Sequence, residues 1–457
     1  MMDWKILEPV LVFGDYSEVY AEESYGQVIS FEDGKTDEIE SGQSNGLGLR
    51  YVEGEETRFG HVDGCDQEPI FRLKQELSQG LKTIQQIKLP SQLIPLRHKI
   101  LKNPLEISLD KKIEILQRAD HAAHLVKGNE NIRQVSLTLG ERVKKIFFFS
   151  QEGGFLSSFS EERVYTVFAV TVVASKDHTL QTATEVIGAL SGFEIFDRTD
   201  PSEVAVRAAE RAIQKLLAPS APTAEMPVIL EAQAGGTMIH EAIGHSLEAD
   251  GIQKGISPVY AGKIGAQVAN EKITVYDDPT LSSFRGSFLY DDEGTKSEKT
   301  ILVEKGILKN YLYDRFSARK EKIKSNGHGR RESYAHKPIP RMSNTFIGSG
   351  PDDPKLILAS VQNGLLVRRM GGGQVNPVTG DFVFEVEEGY LLENGKIKSL
   401  VRGASLLGNG PEVLKTIDLV GNDMGFGVGT CGKDGQGVPV SDGQPTIRIP
   451  KLLIGGQ

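Results

Sequence analysis

Residues 235–247 read Gly235-Gly236-Thr237-Met238-Ile239-His240-Glu241-Ala242-Ile243-Gly244-His245-Ser246-Leu247. A strand-like run, Val228 to Ala232, enters this stretch directly. The paired glycines let the chain turn tightly into a helix that starts near Met238. Within the helix lies His-Glu-x-x-x-His. Two neutral imidazoles are good ligands for a divalent transition metal. A glutamate beside the first of them is where a metalloprotease keeps its general base. The histidines are five apart, however, not four. Five steps of about 100° put the second roughly 140° around an ideal helix from the first. Both can reach one metal only if the helix widens or breaks between them, and an i→i+5 turn is a recurrent distortion at functional sites. Gly244, just before His245, is where that distortion is expected. The competing reading is a buried apolar helix that ends in two core histidines.

A catalytic centre of this kind takes three protein ligands and leaves a fourth position for water. The chain has two cysteines, Cys65 and Cys431. Cys431 lies in the glycine-rich run Gly427-Val428-Gly429-Thr430-Cys431-Gly432-Lys433-Asp434-Gly435. Such a run reads as a loop that approaches something closely, and Lys433 would favour a thiolate. A free cysteine is otherwise a small buried hydrophobe, but this setting favours a ligand. Cys65, with His61 and Asp63 nearby, reads as part of a solvated turn rather than a second metal site.

Outward from the helix, the second half is dominated by strands: Ile273 to Tyr276, Lys299 to Glu304, Ile307 to Tyr313, Phe382 to Leu392, Lys396 to Leu406 and Thr446 to Ile449. Asn394-Gly395 is a hairpin turn signal. Upstream, three prolines among small residues between Ala218 and Pro227 mark a linker. Before it, short strands from Val19 to His61 form a meander with a turn at Asp33-Gly34. Helices follow at Pro69 to about Leu81 and Ser108 to Lys127, then strands to Ala174, then a helix from Ser202 to Leu217. The expected class is α+β. Residues 1–218 form a two-layer α/β half with antiparallel strands, with a further division into 1–100 and 101–218 left open. Residues 226–457 form an antiparallel β-rich sandwich or barrel that carries the metal-binding helix.

At 457 residues the chain accommodates two or three domains. No apolar run is long enough for a membrane span. The start lacks the basic region of a signal peptide. A reducing cytoplasm would suit two distant cysteines and a thiolate ligand. The net charge of −10 argues against phosphate-backbone binding, and the basic cluster from Arg315 to Lys324 reads as a solvated helix face.

Several segments resemble the TldD/PmbA family of metalloproteases, once called modulators of DNA gyrase, and within it the TldD-type, catalytic member. They are HEAIGHSLEAD from His240, RGSFLYDDEGT from Arg285, GHGRRESYAHKPIPRMSNT from Gly327, RRMGGGQVNPVTGDFVF from Arg368, VRGASLLGNGPEVLK from Val401 and GTCGKDGQGVPVSDGQP from Gly429, with a weaker match in DEIESGQSNGLGLRY from Asp37. The resemblance implies that His240, His245 and Cys431 hold the metal and that Glu241 is the base. It further implies unfolded or extended peptides as substrates, and assembly with a PmbA/TldE-like paralogue as a heterodimer or with a second copy as a homodimer. The chain departs from the family at its start: only about fifteen residues precede Tyr16, and they look extended where relatives carry a helix.

The expected function is therefore a metal-dependent peptidase with one divalent ion, Zn²⁺ or, failing that, Fe²⁺. Strand addition to a sheet edge would give backbone recognition. Arg330, Arg331, Tyr334 and His336, in the Gly327 to Thr345 segment, are candidates for holding a peptide carboxylate or an oxyanion, against a structural role as ties for a long loop. Gly371-Gly372-Gly373 reads as a close-approach turn. Asp291, Asp292 and Glu293 read as a solvated turn rather than a hard-cation site. A non-catalytic peptide-binding module and a small-amide hydrolase are the alternative functions.

Overall fold

The long strands near the start of the chain build its first sheet. The structure is a computed structural model and describes residues 4–456. Strand Tyr16–Glu32 runs antiparallel to Lys35–Glu53 on one side and to Ile132–Glu152 on the other. Phe155–Lys176 and Thr179–Ala189 extend the sheet, and Glu56–Asp63 closes its other side. The Asp33-Gly34 turn is present, with both residues at positive φ. The polar, glycine-containing stretch 42–46 does not divide this part of the meander into two short strands. It instead continues a single strand, exposed along 35–45, so no buried alternation marks it in the sequence. Helices Leu109–Ala123 and Pro201–Leu217 cover one face, packing Leu116, Ala119, Val204 and Ala208 against Phe31, Leu137, Phe168 and Val170. This is the two-layer half. Of the described residues before Tyr16, Trp4–Leu7 form a 3₁₀ turn that buries Leu7, where an extended segment was expected.

The later strands close a ring. Asn363–Val375 pairs with Asp381–Glu393, which pairs with Ser405–Asn409. That strand pairs with Ile447–Gly455, which pairs with Ala224–Leu230, which returns to Asn363–Val375. The result is a five-stranded barrel with no free edge at the ring, and its closing pair is parallel. Ala224–Leu230 begins inside the expected linker. The ladder slips between Ile449 and Leu452, opposite Pro227, which has no N–H to donate. The three glycines at 371–373 lie in a strand, at a register shift between Met370 and Gly373, and a Cβ on Gly373 would sit 2.0 Å from the Phe384 ring. Beside the barrel, a six-stranded sheet ends in the hairpin Gly425–Lys433 and Gln436–Gln444. Between barrel and sheet lies a core of Leu230, Met238, Ile243, Leu247, Phe384, Leu406 and Val440. No helix among the described residues is long and apolar enough to cross a membrane.

Asp291, Asp292 and Glu293 are not solvated. All three are at most 3% exposed. Arg163 donates to Asp292 at 2.8 Å, and Arg50 bridges Glu18 at 2.8 Å and Glu293 at 2.5 Å. Arg331 also pairs with Glu18. Arg163 and Arg50 come from the first sheet, 129 and 243 residues away from their partners, so local sequence gives no sign of them. Removing one member of such a buried pair typically costs about 3–5 kcal/mol, because the other charge is left without compensation.

Asp314, buried beside this network, has its carboxyl pushed up to about 7 by burial and then by the charge of Glu293. The folded protein therefore holds a proton that the unfolded chain releases near its ordinary value of about 4. The contribution to stability is full below that value and falls as pH rises toward 7. Asp314→Asn keeps the side-chain cap on Ser317 N–H and removes the titration. The wild-type Tm should therefore fall more steeply than the variant's between pH 4.5 and 7. Parallel curves would refute the assignment.

Candidate metal centre

The expected distortion of the helix is present. After one α-helical turn, Thr237–Ile239, residues His240–Gly244 form a π-turn in which His245 N–H reaches His240 O. This extra residue per turn brings the two imidazoles together, with ring centroids 5.1 Å apart and planes at 90°. Gly244 has φ −52° and ψ −60°, which any residue adopts. Its requirement is space: a Cβ there would lie 1.8 Å from Met342 Sδ. Gly235, at φ +74°, does need glycine's conformational freedom. Gly236 lets the helix start against the hairpin, since its Cβ would meet Gly443 N at 2.3 Å.

Cys431 is on a strand, not in a loop. Gly425–Lys433 carries it, and the turn is made by Asp434 and Gly435. Strand alternation buries its side chain toward the π-turn. Cys431 Sγ lies 3.4 Å from His245 Nε2, and one donor atom from each of His240, His245 and Cys431 falls within 4.8 Å of the others. No other group of this kind occurs among the described residues. Cys65 stands apart, half-buried, its thiol pushed up by burial and by the charges of Glu23 and Asp66.

Burial opposes ionisation of Cys431. Its hydrogen bonds to His240 and His245, and the charge on both rings, outweigh burial and bring the thiol down to about 5. Lys433 was expected to favour the thiolate, but its ammonium goes elsewhere, to Asp250 at 2.6 Å and Glu248 at 3.2 Å. Glu248 is buried and accepts from His245 Nδ1 at 3.1 Å. Burial alone would raise its carboxyl; Lys433, His245 and Arg341 hold it near 2 instead. Arg341 in turn donates to the Cys431 carbonyl and to Gln436 O at 3.2 Å. Glu248 and Arg341 were missed in the sequence. The signal for Glu248 was its spacing, three residues past His245; Arg341 had none.

Glu241 is half-buried, and among the described residues no hydrogen bond or ion pair engages its carboxylate. Asp442, whose carboxylate accepts from Gly236 N–H at 3.2 Å, is close enough to feel its charge. The other candidates are tied to protein groups. Arg330 donates to Met342 O at 2.5 Å and Pro439 O at 2.8 Å. Arg331 donates to Glu18 and, at 2.8 Å, to Asp292 O. Tyr334 OH donates to Asp63 at 2.7 Å, and His336 Nδ1 pairs with Ser333 Oγ at 2.9 Å.

The residues fit a transition-metal ion. The donor set is two imidazoles and an acidified thiol, the Nδ1 of His240 is buried with no hydrogen-bond partner, and the other ring nitrogen of His245 reaches a carboxylate, as metal-ligating histidines usually do. A cluster of this chemistry beside an unengaged glutamate is the signature of a metal-dependent hydrolase. Comparison with known proteins narrows the class. Models of the PmbA/TldA metallopeptidase match three successive regions: domain 1 over residues 17–74, the central domain over 102–216 and the C-terminal domain over 223–456. The chain belongs to this metallopeptidase family. It is 34% identical to the metalloprotease TldD homolog of Haemophilus influenzae, covering 97% of this chain and 93% of that protein. It is 28% identical to the zinc metalloprotease TldD homolog of Saccharolobus solfataricus over 79% of this chain and 80% of that one. Two solved structures share the fold at 20% identity. A Thermotoga maritima protein named for modulation of a DNA gyrase has a TM-score of 0.79, with 96% of each chain covered. TldE from Thermococcus kodakarensis has a TM-score of 0.72, with 97% of each covered.

Proposed function

We propose that the chain is a metal-dependent peptidase acting on unfolded or extended peptides, with His240, His245 and Cys431 holding one divalent ion and Glu241 as general base. The observation that carries this reading is the convergence of three donor atoms within 4.8 Å beside an unengaged carboxylate. A divalent ion in such a set supplies a Lewis acid and a water nucleophile usable near neutral pH. Glu241 takes the proton of the attacking water and passes it to the leaving amine. Glu248 fixes the orientation of the His245 ring, and Arg341 anchors the Cys431 backbone. Arg330, Arg331, Tyr334 and His336 serve as the frame around this centre, given their protein partners. Zinc is the first choice of ion, supported by the donor set and by the name of the Saccharolobus relative; Fe²⁺ is the second. The likeness to TldE supports assembly with a paralogue of that type or with a second copy. A reducing cytoplasm would preserve the thiol. Two strand edges would suit an extended peptide: residues 35–44, beyond the reach of Glu56–Asp63, and the part of Gly425–Lys433 past Gly427, at the end of its sheet.

The test is metal removal. The purified chain, alone and with a TldE-type partner, should carry about one zinc or iron per chain. A chelator should stop the cleavage of unstructured peptides, and zinc should restore it. Cleavage that persists in metal-free protein would rule the reading out. Activity on small N-acyl amides alone would replace peptides as the substrate, and peptide binding without any turnover would leave a binding module.

A further inference from the structure

Thr430, the residue before Cys431, points away from the π-turn. It lines a cavity of about 680 Å³ between the hairpin and the face of the first sheet. The floor of this cavity is glycine. Gly26 pairs with Gly42, and Gly140 lies opposite Val28 on the next strand. A Cβ on Gly42 or Gly140 would meet nothing within 4 Å. Neither glycine has positive φ, so neither the backbone nor the packing of the chain itself calls for glycine there. What these residues do is keep a volume open. Tyr165 and Val167 supply an apolar wall.

One cation in the wall lacks a counterion. Arg285 is half-buried and has no ion pair among the described residues. Its Nη1 donates to Thr430 Oγ1 at 3.0 Å and to the Gly429 carbonyl, and its Nε is buried without a partner. Burial lowers its affinity for a proton, the mark of a charge short of compensation. The other charged groups of the lining are engaged or solvated. Arg142 pairs with Glu22, Glu141 with Lys112, Glu332 accepts from Gly437 N–H at 2.6 Å, and Glu40 is exposed. A desolvated guanidinium with spare donors is a receptor for a carboxylate, which it can bind through two parallel N–H donors.

We propose that this cavity is a carboxylate-binding subsite of the peptidase, in which Arg285 pairs with an acidic group of the substrate. Gly425–Lys433 is the last strand of its sheet, so its outer edge is where the Cys431 face and the Thr430 face meet. A peptide lying across that edge presents its scissile bond to the metal centre and a neighbouring residue to Arg285. The carboxylate is either the peptide's C-terminus or an Asp or Glu side chain. The proposal rests on the peptidase reading.

The test uses the full metal-loaded chain, with its partner where assembly requires one, and one neutral peptide in three forms: C-terminal acid, C-terminal amide, and the amide with a single Glu moved along the sequence. Cleavage is followed by KM and kcat, and binding is followed separately by fluorescence anisotropy on the Glu241→Gln chain. One carboxylate-bearing form should bind about tenfold or more tighter than the neutral amide. Which form does so identifies the source. Arg285→Gln should abolish the difference, and Arg285→Lys, which keeps the charge, should retain part of it. Gly140→Val, which fills the cavity without touching Arg285, should weaken the acidic form in the same way. Equal affinity for all three forms in the wild-type chain would overturn the proposal, as would discrimination that survives Arg285→Gln. If no peptide is cleaved but anisotropy still shows the Arg285-dependent preference, the catalytic reading fails and the subsite stands.

Discussion

Cys431→Ser, purified without added metal, should lose nearly all of the bound ion while the fold persists. The substitution removes a thiol brought down to about 5 by the two histidines and leaves a hydroxyl that stays neutral at pH 7. The centre then has two neutral imidazoles and no anionic ligand. Changes to groups that merely orient ligands typically cost 10–100-fold in metal affinity, so loss of a ligand should exceed about 100-fold. Elemental analysis against the wild type reads the effect directly. The side chain is small and buried, so far-UV circular dichroism and Tm should show the fold retained. Undiminished metal in this variant would take Cys431 out of the site.

Glu241→Gln should separate binding from catalysis. Glutamine matches the shape but cannot take a proton. Because no ion pair engages Glu241, stability and metal content should stay at wild-type values. Positioned general bases contribute roughly 10²–10⁴-fold, so kcat on an unstructured peptide should fall by that factor with KM little changed. A fall of less than about tenfold would move the base elsewhere, with Asp442, close enough to interact with His240 and Glu241, the next residue to test.

The metal-ligand candidates were legible because their chemistry is local. His240, Glu241 and His245 fall within six residues, and the five-residue spacing forces a wide turn on any helix that points both rings at one ion. Cys431 stood out by rarity and by its glycines, although those glycines belong to a strand and its turn. Glu248 lay in plain view, three residues past His245, a spacing that places a carboxylate beside the ring. The buried network around Glu293 was not legible, because Glu18, Arg50, Arg163 and Arg331 meet it only through the tertiary fold. Asp291, Asp292 and Glu293 had the composition of a turn, and burial decided otherwise. The continuity of the strand through 42–46 was hidden for the opposite reason: exposed as far as Asn45, that stretch has no alternation to read. Closure of the barrel was also hidden, since it depends on a parallel pairing between residues 228–230 and 365–367, more than a hundred positions apart.

The π-turn can also be viewed as chain arithmetic: it is one surplus residue stored in a helix. Excising Ala242 would return the two histidines to ordinary four-residue spacing and allow a regular α-turn. An excision inside a regular α-helix rotates one flank by about 100° relative to the other. Here the wide turn already absorbs the surplus residue, so the flanks keep their phase and the seats of Gly244 against Met342 and of Gly236 against the hairpin can still be filled together. A single-codon deletion of Ala242 should therefore be far less damaging than one inside the regular helix Pro201–Leu217.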